Sequence, residues 1–196
     1  MFIDAFFNYN MKNIKIILGF FIIINGFNLS LFAQSDRPEN WAKSLKISKF
    51  KNLYRLNDSL YRSEQPDEKG FKSLDSIGIK SILSLRSKAV DEKLVGNLPF
   101  KLYNVKMSAE LFSDEEIIEA LKVMRLSPKP LLVHCVHGAD RTGVVIAMYR
   151  IIYAGWSKQQ AINEMRKGDY NFHEAYFNII KYIENVNVIN IKEKIK

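Results

Sequence analysis

One cysteine, Cys135, stands in a chain of 196 residues. A single thiol excludes an intrachain disulfide framework. A zinc site built on His134, Cys135 and His137 would need a further ligand, and only His173 and scattered carboxylates remain to supply one. Clusters of basic residues interleaved with aromatics are missing too. The net charge is +8, or 27 basic against 20 acidic residues once residues 1–33 are set aside, but Lys and Arg are scattered and mostly sit beside Asp and Glu. That arrangement reads as solvated surface, excludes a nucleic-acid groove, and leaves a mild attraction for anionic substrates. Repeats and low-complexity runs are absent as well. The 47% apolar and 12% aromatic content therefore fits the core of one ordinary domain.

The N-terminus reads as a processing segment. From Met11, a candidate initiator, the chain runs through two lysines, a long apolar stretch, the small residue Ala33 and a polar start. This is the layout of a secretory signal peptide occupying residues 1–33. Leu31 is large for a cleavage site, and the apolar run is long enough for the alternative, an uncleaved anchor that attaches the protein to the membrane through residues 14–33. Either way the domain is expected outside the cytoplasm, exported to the periplasm or anchored facing it. No cysteine lies near the junction, which excludes a lipoprotein anchor. Residues 34–50 read as a linker, and residues 51–196 as a single domain.

Within that domain, residues 53–56 and 59–62 alternate around an Asn-Asp turn and predict a hairpin. Pro66 and Asp67 open an amphipathic helix carrying Phe71, Leu74 and Ile77, which Gly78 ends. Strands are expected over 79–85, 100–107 and 130–134. A helix over Asp114–Leu126 starts at a capping box, Ser113 with Glu116. Further helices follow over 142–154, from the box Ser157 with Gln160 to Gly168, and from about Phe172, with Tyr176, Ile179, Ile180 and Ile183 as a core stripe. Strands alternating with helices define an α/β fold, a mostly parallel central sheet flanked by helices, whose ligand crevice lies at the carboxyl ends of the strands.

The segment LLVHCVHGADRTG, residues 131–143, occupies that position as strand, tight loop and helix N-terminus. Gly138 permits an unusual backbone angle, and Gly143 permits close packing of the first helical turn. Such a loop points successive N–H groups of Val136, His137, Gly138, Ala139, Asp140 and Arg141 into one concavity with a positive helix end behind it, which makes an anion site. Arg141 adds a planar fork suited to two phosphate oxygens. The same surroundings favour the thiolate of Cys135, a nucleophile held beneath a bound phosphate for in-line attack. Thr142 is placed to donate a hydrogen bond to the sulfur and help it leave. No cofactor and no metal are called for.

HCVHGADRTG resembles the H-C-x5-R-[ST] phosphate loop of the protein tyrosine phosphatase superfamily. The YRSEQP segment followed by GIKSILSLR resembles its compact bacterial and atypical dual-specificity branch. The resemblance spans about residues 53–168. It implies a dual-specificity-phosphatase-like fold, hydrolysis of phosphotyrosine, with phosphoserine and phosphothreonine esters as the dual-specificity option, through a phosphocysteine, and a phosphorylated protein or small phosphomonoester as partner. It also implies that an upstream carboxylic acid protonates the leaving oxygen. His134 reads as a support for the loop below the cysteine, and Arg62 as a brace for the phosphate loop or the sheet. The chain departs from the pattern at the acid, because the loop 108–113 (SAELFS) holds no Asp. Glu110 ranks first as its substitute, Asp140 second, and Asp114 third, since Asp114 also suits the helix N-terminus it begins. His137 is a candidate for tuning substrate choice.

Two other readings stay open. The substrate could be a phosphoinositide, an inositol phosphate or a nucleotide, against which the acidic Asp140 in the loop argues mildly. The chain could instead be a phosphate-binding module of low activity.

Overall fold

A computed structural model of the protein describes residues 37–196. The expectations for residues 1–33 therefore lie outside the described residues. The strands are β1 (Lys43–Ser44), β2 (Tyr54–Asn57), β3 (Leu60–Ser63), β4 (Ser81–Ser84), β5 (Lys101–Asn104) and β6 (Leu131–His134). They form one mixed, mostly parallel sheet in the order β1-β2-β3-β6-β4-β5. The first two pairings are antiparallel, as the hairpin requires, and the other three are parallel. The helices are α1 (Glu68–Ser76), α2 (Asp91–Val95), α3 (Asp114–Leu126), α4 (Asp140–Tyr153), α5 (Lys158–Lys167), α6 (Phe177–Asn185) and α7 (Val188–Ile195).

The period-two alternation of the strands builds two cores, one on each face of the sheet. Leu60, Leu83, Leu131 and Val133 face the larger, which α3, α4, α5, α6 and α7 cover. Tyr61, Ile82 and Leu132 face the smaller, closed by Phe71 and Leu74 of α1 and Val95 of α2. Central strands buried on both faces must be apolar nearly throughout, and β6 is. Local signals set the helix ends. Asp67 accepts a hydrogen bond from Gly70 N at 2.6 Å to start α1, and Glu116 Oε2 accepts from Ser113 N at 2.7 Å to start α3. The Ser157–Gln160 box of α5 closes in both directions, at 3.2 and 2.9 Å.

Three differences from the sequence reading have physical causes. The second half of the expected linker belongs to the fold: the compact unit is Glu39–Lys196, and β1 pairs with β2. Ala42 is buried and donates its N–H to Glu164 Oε1 at 2.7 Å, a carboxylate that Arg150 also grips at 2.8 and 2.7 Å. The last helix starts at Phe177 rather than near Phe172, after Asp169 and Asn171 take left-handed φ angles of 60° and 59°. It then breaks at Val186, and Asn187 caps a separate α7 by accepting from Asn190 N. Tyr176 consequently falls at the N-cap, just before the helix, but still packs partly buried against the larger core, in which Ile179 and Ile183 are fully buried. The five-residue α2 was not anticipated, since Val90 at its N-cap makes no side-chain capping bond that would mark it.

Among the described residues no helix is long and apolar enough to cross a membrane.

Candidate active site

β6 lies between β3 and β4 with parallel pairing on both sides, so its carboxyl end opens at the centre of the sheet. The chain there turns through residues 135–139 into α4. Four consecutive carbonyls of this turn are tied back, one by the neighbouring His134 ring and three by groups from elsewhere. Cys135 O lies 3.1 Å from His134 Nδ1, and Val136 O accepts from Gln65 N at 3.0 Å. His137 O accepts from Asn52 Nδ2 at 2.7 Å, and Gly138 O from Arg62 Nη2 at 2.6 Å. In a trans peptide the N–H of one residue points opposite to the carbonyl of the one before it. Tying back the carbonyls of 135–138 therefore turns the amides of 136–139 to the other side, into a common concavity that suits an anion. The positive end of α4 lies directly behind.

The turn tolerates little substitution. Gly138 has φ +70°, and a Cβ there would sit 2.5 Å from the backbone carbonyl of Ser63 and 2.6 Å from Glu64 N. Gly138→Ala is expected to cost about 2–3 kcal/mol from backbone strain and clash together. It should also lower turnover more than tenfold. Thermal unfolding and steady-state assays check this, and a Tm and kcat within error of wild type would contradict it.

Arg62 anchors the underside. It is 1% exposed, stacks 3.7 Å from the centre of the Tyr170 ring, and is the brace expected of it. Burial draws its guanidinium below its ordinary pKa, against the opposing charges of Tyr170, Glu164 and Cys135. Cys135 itself is 2% exposed and has no disulfide partner. Thr142 is fully buried, and its Oγ1 has no hydrogen-bond partner.

The carboxylates separate clearly. Glu110 is exposed and lines a cleft of about 380 Å³ together with Arg141, Lys106, Ser108 and Tyr176. Its Oε2 accepts from Ser108 Oγ at 3.2 Å. Asn178 of α6 holds the backbone of this loop, donating to Ala109 O at 2.8 Å and Glu110 O at 3.2 Å. Asp114 does not line the cleft. Its Oδ1 accepts from Tyr182 OH at 2.8 Å, and burial together with this bond pushes the phenol above its ordinary pKa. Asp140 is also engaged: Oδ1 accepts from His173 N at 3.0 Å, and Oδ2 lies 2.9 Å from His173 Nδ1. His137 is exposed at the loop, its ring 5.7 Å from that of His173. Arg141 is half-buried, with Nη1 donating to Met107 O at 3.4 Å. Among the described residues no cluster of His, Cys, Asp and Glu suits a metal ion.

Sequence reasoning missed several of these residues. Asp91 lies against His134, Oδ2 to Nε2, at 2.8 Å. Gln65, within the YRSEQP segment, donates to Asp91 Oδ1 at 2.7 Å. Asn52, His173 and Tyr176 complete the surroundings. Only Gln65 carried any sequence signal, its place in that segment.

Comparison with known proteins agrees with this geometry. The model of the tyrosine phosphatase family matches residues 45–196. The dual specificity protein phosphatase TpbA of Pseudomonas aeruginosa is 29% identical over 178 residues, 90% of this chain and 80% of TpbA. Its crystal structure superposes with a TM-score of 0.74 over 81% of this chain and 98% of that one, and a cysteine-to-serine variant of TpbA has been solved with phosphotyrosine. The catalytic core of the Saccharomyces cerevisiae PP-IP phosphatase Siw14 is 26% identical, with a TM-score of 0.66 over 75% of this chain and 92% of that one. Inositol diphosphatase DSP3 of Arabidopsis thaliana is 27% identical over 145 residues, 64% of this chain and 70% of its own length. With the loop, the sheet order and the family match in agreement, this chain is a phosphatase and belongs to the tyrosine phosphatase family.

Proposed function

We propose that this phosphatase hydrolyses phosphomonoesters, phosphotyrosine foremost, through a phosphocysteine formed on Cys135. The observation that carries the reading is the set of four tied-back carbonyls, which turns an amide cradle toward the end of β6 where the lone cysteine stands. In the first step Cys135 Sγ attacks phosphorus, the S–P bond forms, and the ester O–P bond breaks. The amides and Arg141 hold the three non-bridging oxygens, and Glu110 gives its proton to the departing oxygen. In the second step water attacks phosphorus and passes a proton to the Glu110 carboxylate. The S–P bond breaks, and Thr142 Oγ1 donates a hydrogen bond to the departing thiolate.

Glu110 is favoured as the acid because it shares the cleft with Arg141, whereas Tyr182 and His173 occupy the carboxylates of Asp114 and Asp140. An acid matters most for a poor leaving group. Glu110→Gln should therefore slow a phosphoserine peptide by about 10²-fold or more, and p-nitrophenyl phosphate by less than about tenfold. Equal losses on both substrates, or a larger loss in Asp140→Asn, would reassign the acid.

The relatives named for phosphotyrosine and for inositol diphosphates frame the substrate. Tyr176 and Leu111 at the cleft favour an aryl ester, and Lys106 beside Arg141 favours a second phosphate. Specificity constants for a phosphotyrosine peptide, a phosphoserine peptide and an inositol diphosphate decide between them, with the tyrosine peptide expected to lead. Chelators should leave the rate unchanged, and vanadate should inhibit. We further propose that the domain works outside the cytoplasm, on the strength of the charged, apolar and small-residue layout of residues 11–33. Digestion by protease added to the outside of whole or outer-membrane-permeabilised cells tests this.

A further inference from the structure

His134 sits at the end of β6 with no exposed surface, and both its ring nitrogens face hydrogen-bond acceptors. Nδ1 lies 3.1 Å from Cys135 O, a carbonyl that can only accept. Nε2 lies 2.8 Å from Asp91 Oδ2. A neutral imidazole carries one proton, so it satisfies one of these contacts and sets a lone pair against the other. Both are satisfied only when the pair Asp91–His134 holds two protons, one on Nδ1 and one between Nε2 and Oδ2.

The surrounding bonds orient the carboxyl group of Asp91. Arg86 Nη1 donates to Gln65 Oε1 at 2.7 Å, which fixes the orientation of the Gln65 amide. Its Nε2 must then face Asp91, and it donates to Oδ1 at 2.7 Å. Asp91 is 5% exposed and is thus addressed as an acceptor on the side away from the ring. Burial by itself pushes its carboxyl up, but the hydrogen bond and charge of His134, with Gln65 and Arg86, bring it below its ordinary value. The other charged groups near this point are the Cys135 thiol on the same loop, Arg62 on the neighbouring strand β3, and Arg86 behind Gln65.

We infer that Asp91 is a positioning residue for the phosphatase reaction: it keeps both nitrogens of His134 protonated, so that the ring holds the Cys135 carbonyl and turns its positive charge toward the nucleophile. The inference rests on the reading of Cys135 as nucleophile for its catalytic consequence, but not for the state of the ring. It also gives the YRSEQP segment a function. Gln65 holds the Val136 carbonyl through its main chain and orients Asp91 through its side chain, so one residue braces the loop directly and through His134.

Long-range 15N–1H correlation spectra of the imidazoles test the state of the ring. His134 is assigned with His137→Gln and His173→Gln. Near neutral pH the wild-type His134 should show two protonated nitrogens, and the isosteric Asp91→Asn should show one. At about pH 6, Asp91→Asn should also slow alkylation of Cys135 by iodoacetamide about tenfold and lower kcat/KM by a similar factor, since each factor of ten reflects one unit of lost preference for the thiolate. A wild-type His134 with a single protonated nitrogen overturns the proposal without recourse to any variant, as does an Asp91→Asn protein with wild-type nitrogen signals and alkylation rate. If Cys135 proved not to be the nucleophile, the nitrogen signals would still report on Asp91, so the two failures are distinguishable.

Discussion

Cys135→Ser is expected to release no phosphate above about 10⁻⁴ of the wild-type rate while still binding a phosphotyrosine peptide within a few-fold of wild-type affinity. The first half follows from chemistry. A serine hydroxyl in this position lacks the neighbouring base that activates serine nucleophiles elsewhere, and removing a nucleophile from a unit that acts together costs about as much as removing the unit. The second half follows from structure. The cradle consists of main-chain amides fixed by Asn52, Arg62, Gln65 and His134, none of which touches the sulfur through those bonds. Serine is slightly smaller at a site only 2% exposed, so the fold should survive with a Tm within a few degrees of wild type. Calorimetric titration beside a phosphate-release assay reads both halves. Retained turnover would refute the proposed nucleophile, and loss of binding together with turnover would refute an amide cradle that stands without the thiol. The same experiment answers the binding-module reading, which expects wild-type protein itself to bind without release.

The second large effect is at Arg141. Lysine keeps the positive charge but offers a point donor in place of a planar fork with two parallel N–H bonds. Arg141→Lys should therefore lower kcat by about 10²–10³-fold, the cost of losing one preorganised donor to the charge that develops on the transferring phosphoryl group. KM should rise by much less, because the amides still bind the ground state. The guanidinium already reaches into the cleft beside Glu110, and its bond to Met107 O is long at 3.4 Å, so shorter charge-assisted bonds to phosphate oxygens replace it at little cost. Steady-state kinetics on p-nitrophenyl phosphate, where protonation of the leaving group matters least, isolates this term. A lysine variant within tenfold of wild type would mean that charge alone, without fork geometry, serves the transition state.

The residues that were readable in the chain are those whose role is local. The strand, glycine turn and helix start around Cys135 lie within 131–143, and the helix starts at Ser113 and Ser157 are written in four residues each. The residues that were not readable act across the fold. Asp91 and His134 are 43 positions apart, Asp140 and His173 are 33 apart, and Asn52 reaches His137 across 85. No periodicity or spacing marks such pairs, because the parallel pairing of β3, β6 and β4 brings them together only after the sheet has formed. Tyr176 illustrates the same limit from the other side. Its spacing from Ile179, Ile180 and Ile183 fits a helical stripe and it does pack against the same core, but the helix begins only after it, and its second role, lining the cleft, carried no signal. Glu110, exposed and without a motif of its own, was legible only because a loop of six residues offered no other carboxylate.

The proposed function turns on one covalent bond, and trapping it is the most direct test. Glu110→Gln is mixed with excess p-nitrophenyl phosphate, whose leaving group needs little protonation, so that phosphorylation outruns the hydrolysis that the missing carboxylate would assist. The reaction is quenched within the first turnover, and the digest is sequenced by mass spectrometry. The mechanism predicts a phosphoryl group on the peptide containing LLVHCVHGADR, located on Cys135 and absent from Cys135→Ser. A phosphoryl group on His134 or His137, or full turnover with no phosphoenzyme at any quench time, would contradict it.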